Sequence, residues 1–286
     1  MSDTLESEQY SLSPPPFPYA VVLDFEATCD QREPPRPQEV IEFPSVLMEM
    51  ESGDILDEFS SFVRPTHHPE LSDFCTELTS IVQCDVAGAE PFFEVFQRHQ
   101  EWLGSHGLDE NNALFVTCGD WDFGTLFPAQ CAVSDPPVQW IPPMYRRWHN
   151  IKTSFATHTG LRKAPGMAAM LPYLNLELEG RHHRGIDDCR NIARILQAIN
   201  IPGFRLDVTG EISASRYPPL DLRLQLGDES ADVVLRKRKI GTLTGLAQTA
   251  FRRNVVELRL VGGRRLDEDA QLLELTPGAA VAVSVS

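Results

Sequence analysis

Asp24 and Glu26 stand two residues apart inside the run Val21-Val22-Leu23-Asp24-Phe25-Glu26-Ala27-Thr28-Cys29. The β-branched and aromatic residues around them, bounded by proline-rich segments, predict a buried strand. Side chains two apart in a strand share a face, about 6–7 Å from each other. Val21, Leu23 and Phe25 therefore fall on one side and both carboxylates on the other. Paired anions on an inner strand repel each other and resist burial, so they call for a cation. The residues just upstream supply no Lys or Arg, which leaves a divalent metal with oxygen ligands as the natural neutraliser. A solvated edge strand would carry the same pair without one, so further ligands must come from elsewhere in the chain.

Two other places offer them. Asp122 follows a short apolar strand predicted at Leu114–Cys118, where Gly119-Asp120-Trp121-Asp122 starts a helix. Taken alone, it reads as an N-cap. Asp187-Asp188 open the clearest helix of the chain, Asp187–Asn200, which Pro202-Gly203 stops. Asp188 continues the stripe Ile192, Ile195, Ile199 and faces inward; Asp187 shares the side of Arg190, Asn191 and Arg194 and faces water. Asp187 is thus the cap, and Asp188 needs an interior partner. His182 and His183 lie in the loop before this helix, each with an aspartate five residues on. Spacing leaves the register open, and the inward position of Asp188 selects His183. Beside a metal, a histidine that titrates near neutrality can deprotonate water.

The elements that must position these groups follow a strand-first pattern. Residues 1–18 are polar and proline-rich and read as a disordered tail. After the first strand come β-like runs at Phe43–Met50 and Ile55–Val63, with Gly53 in the turn. Phe92, Val95, Phe96, His99, Trp102 and Leu103 form one helical stripe, in which His99 is a half-buried residue without a role. Met144–His158 is predicted helical and carries the cations Arg146, Arg147 and Lys152. Met167–Leu174 is a helical segment bent by Pro172. The pattern predicts an α/β domain over 19–204, a Gly/Ser/Pro-bearing linker over 205–219 and a smaller α+β domain over 220–286. The small domain reads as strands at Leu220–Leu226 and Val233–Arg238, a helix opened by Thr242, and strands at Val256–Val261 and Ala279–Val285.

Composition sets outer bounds. A chain of 286 residues, 42% hydrophobic and 23% charged, is expected to be soluble and globular with a sizeable core. The six cysteines form no C-x-x-C pair and read as reduced, as in the cell interior. Neither an apolar leader nor a membrane-length run is visible, so an intracellular protein without membrane contact is expected. The net charge of −16 is uneven: residues 205–286 hold 12 Lys+Arg against 11 Asp+Glu, and residues 1–204 hold 13 against 30. Such an acidic body is no general nucleic-acid coat, although an enzyme can still reach phosphate through bound cations.

Val22-Leu23-Asp24-Phe25-Glu26-Ala27-Thr28-Cys29, Gly119-Asp120-Trp121-Asp122 and His183-Arg184-Gly185-Ile186-Asp187-Asp188-Cys189-Arg190-Asn191-Ile192-Ala193 resemble, in order, the three motifs of the DEDDh 3′–5′ exonucleases. The Phe-Glu-Ala-Thr-Cys wording is similar to the Eri-type exoribonuclease branch, and Leu71-Ser72-Asp73-Phe74-Cys75 with Leu78-Thr79 is a fourth matching segment. The resemblance implies an RNase H-like mixed sheet flanked by helices, in which Asp24, Glu26, Asp122 and Asp188 hold two Mg²⁺ or Mn²⁺ ions. It also implies His183 as the base, with Glu26 assisting beside the nucleophile. Ala27 and Thr28 would offer backbone groups to the terminal ribose, and Trp121 would stack on or wall the terminal base. Residues 220–286 resemble a ubiquitin-like (β-grasp) fold of the SUMO kind, implying a built-in docking domain with a protein partner.

The expected activity is release of 5′-mononucleotides from single-stranded 3′ ends of RNA by a monomer. Relatives that trim histone mRNA carry a nucleic-acid-binding module ahead of the nuclease, which residues 1–18 are too short to supply, so short single-stranded ends are the expected substrate. The competing expectations are the same chemistry on DNA, and an idle nuclease body that recruits partners through its ubiquitin-like tail.

Overall fold

The computed structural model describes residues 17–285. Most of the tail read as disordered, residues 1–16, lies outside the described residues. Phe17 and Pro18, placed in that tail above, belong to the fold instead: Phe17 packs on the core, and the Pro18 carbonyl accepts the Met50 N–H.

The first sheet is mixed. It contains β1 (Tyr19–Leu23), β2 (Glu26–Ala27), β3 (Val40–Glu49), β4 (Ile55–Phe62), β5 (Ala113–Thr117), β6 (Arg147–Asn150) and β7 (Gly210–Glu211). β3 runs antiparallel to β1, β2 and β4, whereas β1, β5 and β6 are parallel neighbours and β7 closes the far edge antiparallel. Helices cover both faces, as a sheet with parallel strands at its centre requires. They are α1 (Asp73–Thr79), α2 (Gln83–Ala87), α3 (Phe92–Ser105), α4 (Phe127–Val133), α5 (Ile151–Thr159), α6 (Met167–Met170) and α7 (Gly185–Ile199).

The period-two alternation of β1 decides which helices it meets. Val21, Leu23 and Phe25 pack with Phe92, Phe96 and Phe127 of α3 and α4. Ala20 and Val22 turn to the other side, against Phe155 of α5 and the Ile192, Ile195, Leu196, Ile199 stripe of α7. At about 25 cal/mol per Å² of apolar surface, these two seams are the main stabilising term of the fold.

Four expectations are corrected. The strand read through Val21–Cys29 breaks after Leu23, because the Phe25 N–H is taken by the Asp122 carboxylate at 3.0 Å and not by a neighbouring strand. Met144–His158 is not one helix: a 3₁₀ turn (Pro143–Arg146) leads into β6 and then α5. The β6 stretch Arg147-Trp148-His149-Asn150 does not look like an inner strand, yet its polar atoms are satisfied. Trp148 Nε1 donates to Asp120, and His149 bonds the Asp207 carbonyl and Ser154. His99 is fully buried, not half-buried; its ring bonds Ser45 Oγ at 2.9 Å and Tyr145 Oη at 2.6 Å, and burial lowers its pKa to about 3. Residues 205–219 are no loose linker, since they contribute β7 and bury Ile212 and Tyr217 in the core.

The second sheet has the order β10-β11-β8-β9, from β8 (Leu220–Leu226), β9 (Glu229–Leu235), β10 (Val255–Leu260) and β11 (Ala279–Val285). β8 and β11 are a parallel central pair and the outer strands are antiparallel to them. Helix α8 (Ile240–Phe251), which starts two residues before the expected Thr242, packs Leu243, Ala247 and Phe251 on this sheet. Arg146 meets Glu274 at 2.6 Å across the junction of the two units, and Arg238 donates to the Gln139 carbonyl. Among the described residues no helix is long and apolar enough to cross a membrane.

Candidate active site

In sheets with parallel strands, clefts form beyond the carboxyl ends of those strands. Here the carboxyl end of β1 delivers Asp24, and the chain leaving β5 turns at Gly119 and delivers Asp122. The chain leaving β6 enters α5 at the same edge, in register with β5 through Thr117 and Asn150. The N-terminus of α7, whose dipole favours anions, brings Asp188 to that end from across the β1 face.

One carboxylate oxygen from each of Asp24, Glu26 and Asp188 lies within 4.8 Å of the others. Asp122 reaches the same place by holding the Phe25 N–H, between Asp24 and Glu26, with Oδ1 at 3.0 Å. Glu26, Asp122 and Asp188 are buried. Burial, followed by repulsion from Asp24, Asp188, Glu42 and Asp122, pushes the Glu26 carboxyl up to about 10. Asp24 is raised by burial, then by Asp122 and Asp188. Burial lifts Asp122 to about 6 against the N–H donated by Phe25, and Asp188 is raised in the same way against its histidine partners. Without a cation this cluster must take up protons. With one, it is a set of hard oxygen donors at coordination spacing, of the kind Mg²⁺ and Mn²⁺ prefer.

The histidines divide their contacts with Asp188. The His183 backbone N–H donates to Asp188 Oδ2 at 2.9 Å, while it is the His182 ring, Nδ1, that stands 3.0 Å from the same oxygen. The two imidazoles stack with centroids 3.8 Å apart, and each offers a nitrogen within 4.8 Å of an Asp188 oxygen. His183 holds a left-handed φ of 65°. Burial first, then His182, depresses the His183 pKa against the pull of Asp188, which keeps that ring neutral and able to accept a proton near pH 7. Asp187, read as the cap, instead binds the Arg181 N–H and Arg190, closing the loop back on itself.

Of the other expected residues, Ala27 is buried on β2 and Trp121 stands exposed one residue before Asp122. Thr28 turns inward: its N–H donates to the Glu39 carbonyl, its hydroxyl accepts the Glu39 N–H, and its carbonyl accepts from Gln38. It lines a cavity of about 510 Å³ together with Cys29, His68, Ser72 and Cys75.

Three residues given no role above shape the site. Glu42 is fully buried opposite Glu26 in the β2–β3 register and accepts the Gly185 N–H at 3.1 Å and Arg184 Nε at 3.3 Å, pinning the histidine loop to the sheet. A lone carboxylate inside Val40-Ile41-Glu42-Phe43 was the available signal. Gly185 must be glycine, because a Cβ there would lie 2.8 Å from the Asp24 carbonyl and 2.9 Å from Pro44 Cγ. The charge of Lys152, at the start of α5, acts on Asp24 and Asp122 and partly offsets the rise that burial imposes on both.

The sequence pattern of the exonuclease (RNase_T) family matches residues 21–196. ERI1 exoribonuclease 3 of Homo sapiens is 40% identical over 196 residues, 68% of this chain and 57% of that protein. The 3′-5′ exoribonuclease 1 of Homo sapiens is 34% identical over 203 residues, 70% of this chain and 57% of the relative. The chain thus spans little more than half the length of these relatives. Among solved structures, the nuclease domain of 3′hExo, a DEDDh family member bound to rAMP, superposes with a TM-score of 0.62 at 32% identity, over 68% of this chain and 98% of that one. A 3′-exonuclease in 3′-end-specific recognition of the histone mRNA stem-loop gives 0.63 at 29% identity, over 77% and 92%.

Proposed function

We propose that this chain, which belongs to the exonuclease (RNase_T) family, is a divalent-metal-dependent 3′–5′ exoribonuclease that releases 5′-mononucleotides from single-stranded RNA ends. One observation carries the reading: the carboxylate oxygens of Asp24, Glu26 and Asp188, from the β1 end, β2 and α7, gather within 4.8 Å. With Asp122, they are the residues that would hold two Mg²⁺ or Mn²⁺ ions. Bound there, the ions would ease deprotonation of water and stabilise charge on the phosphate.

The chain's own residues do the rest. His183, held neutral, takes the proton of the attacking water at an imidazole nitrogen, and Glu26 orients that water. Ala27 and Thr28 form the wall beside the terminal ribose, and the exposed Trp121 ring stacks on the terminal base. Contact with a 2′-hydroxyl sets RNA above DNA. The first sheet with its helices is read as an RNase H-like domain over 17–217, which takes in Phe17, β7 and Tyr217 beyond the expected 19–204. The parallel β8–β11 pair with α8 between the hairpins supports a ubiquitin-like domain over 220–286, which takes a protein partner. The protein acts as an intracellular monomer.

The test is incubation of a 3′-tailed RNA and its DNA counterpart with Mg²⁺. A ladder shortening from the RNA 3′ end is expected, absent in EDTA and absent for Asp24→Ala. Faster loss of the DNA would overturn the substrate class, and an RNA left intact would overturn the activity.

A further inference from the structure

We infer that Lys152 is a substrate-binding residue: its ammonium takes a non-bridging oxygen of the scissile phosphate, the 5′-phosphate of the 3′-terminal nucleotide. The inference rests on the exonuclease reading above. Lys152 is placed by design of the sheet edge, since β6 pairs with β5 through Thr117 and Asn150 and then enters α5. The Asn150 side chain caps that helix by accepting the Lys152 N–H at 3.1 Å. This fixes the Lys152 backbone next to the turn that carries Asp122. Gly119 in that turn has φ of 133°, and a Cβ there would sit 3.8 Å from Lys152 Nζ, so the ammonium lies beside the backbone of the turn that leads to Asp122.

The ammonium acts on Asp24 and Asp122, yet among the described residues it forms no ion pair within 4.0 Å. The arginines near the histidine loop are committed elsewhere: Arg184 to Glu42, Arg181 to the Glu77 carbonyl, Arg190 to Glu58 and Asp187. A lysine serving only as a counter-ion would close on a carboxylate to contact, where a charge-assisted bond is strongest. Lys152 instead acts on Asp24 and Asp122 from beyond ion-pair distance. The group that fits between a fixed ammonium and a cation-loaded carboxylate cluster is an anion with several oxygens. Lysine is suited to it as a compact point charge at the end of a flexible stem.

The two loads on Lys152 give the test opposite signs. Its charge opposes a divalent cation at Asp24 and Asp122 and favours a phosphate. Calorimetric titration of the full chain with Mn²⁺ alone, then with 5′-AMP in saturating Mn²⁺, separates them. Lys152→Met is expected to keep or tighten Mn²⁺ binding up to severalfold and to weaken 5′-AMP at least tenfold, with Lys152→Arg restoring most of the nucleotide affinity. Equal 5′-AMP affinity in Lys152→Met would overturn the inference, as would Mn²⁺ and 5′-AMP binding lost together, the mark of a merely structural lysine. Lys152→Gln repeats the comparison should the methionine variant not fold. A wild-type chain that binds neither Mn²⁺ nor 5′-AMP would sink the exonuclease reading itself, a result separate from any difference between variants.

Discussion

Glu26 and Glu39 are buried carboxylates of the same sheet region, and the protein treats them in opposite ways. Glu39 accepts the backbone N–H groups of Thr66, His67 and His68 at 2.7–3.0 Å, and these outweigh its burial and hold its carboxyl below the usual range. Glu26 sits among Asp24, Asp188, Glu42 and Asp122, and is pushed up to about 10. One region satisfies its anion from the backbone and is finished on folding. The other collects anions that repel one another and is finished only by something from outside. Perturbation of this second kind marks a functional site, because no folding advantage explains it.

The largest break in that contrast comes from Asp24→Asn. It removes one anion of the repelling group, so RNA cleavage is expected to fall roughly 10³-fold while the metal-free protein gains stability in urea unfolding. Loss of activity accompanied by loss of stability would place Asp24 with Glu39, among structural carboxylates. Glu39→Ala should do the reverse. It strands the N–H donors of Thr66, His67 and His68, at a cost of about 3 kcal/mol, and leaves Mn²⁺ affinity unchanged in the same titration.

How much of this could be read in the sequence depended on whether the cause was local. The side shared by Asp24 and Glu26 follows from period two, and the inward turn of Asp188 from its place on the Ile192, Ile195, Ile199 stripe. Both survived the break in the strand, since Phe25 still joins Val21 and Leu23 in one core and Glu26 still meets Asp188. The break itself depends on Asp122, 97 positions from the N–H it accepts, and no window over residues 21–29 contains that fact. Glu42 was hidden in the same way, as the Gly185 N–H it accepts is 143 positions away. Strand β6 was lost among helical signals because its polar residues find distant partners such as the Asp207 carbonyl. Choosing between His182 and His183 needs ring positions, and the Asp188 contact turned out to be shared between one ring and one backbone N–H.

Gly185→Ala sharpens the contrast from the side of geometry. Its Cβ would press on the Asp24 carbonyl at 2.8 Å and on Pro44, so the start of α7 must shift away from β1. Overpacking of this kind costs about 2 kcal/mol. The shift also carries Asp188 and His183 off the Asp24–Glu26 pair, and a displacement near 1 Å is expected to lower the cleavage rate about 100-fold. The same substitution at Gly166, where a Cβ would meet nothing within 4 Å, should leave the rate within about twofold, given that surface changes are usually within 0.5 kcal/mol. Equal effects at the two glycines would mean that close approach of α7 to β1 is not what aligns the site.

The smallest effect is a slope, and it distinguishes the two kinds of carboxylate without any substitution. Glu26 has a folded pKa of about 10 against an ordinary 4.5, so between those values the folded chain keeps a proton that the unfolded chain has released. Its contribution is complete below about pH 4.5 and declines as pH rises toward 10, and Asp24 acts in the same direction. Glu39 is lowered, so its contribution is present above 4.5 and is lost as pH falls through its folded value. In EDTA, urea unfolding between about pH 6 and pH 8 should therefore show stability falling by up to about 1.4 kcal/mol per pH unit for each proton held. Saturating Mg²⁺ is expected to take the place of that proton as the neutralising charge and so to flatten the slope or reverse it. Identical slopes with and without Mg²⁺ would mean that proton and cation do not compete for these oxygens, leaving Glu26 a buried acid like any other.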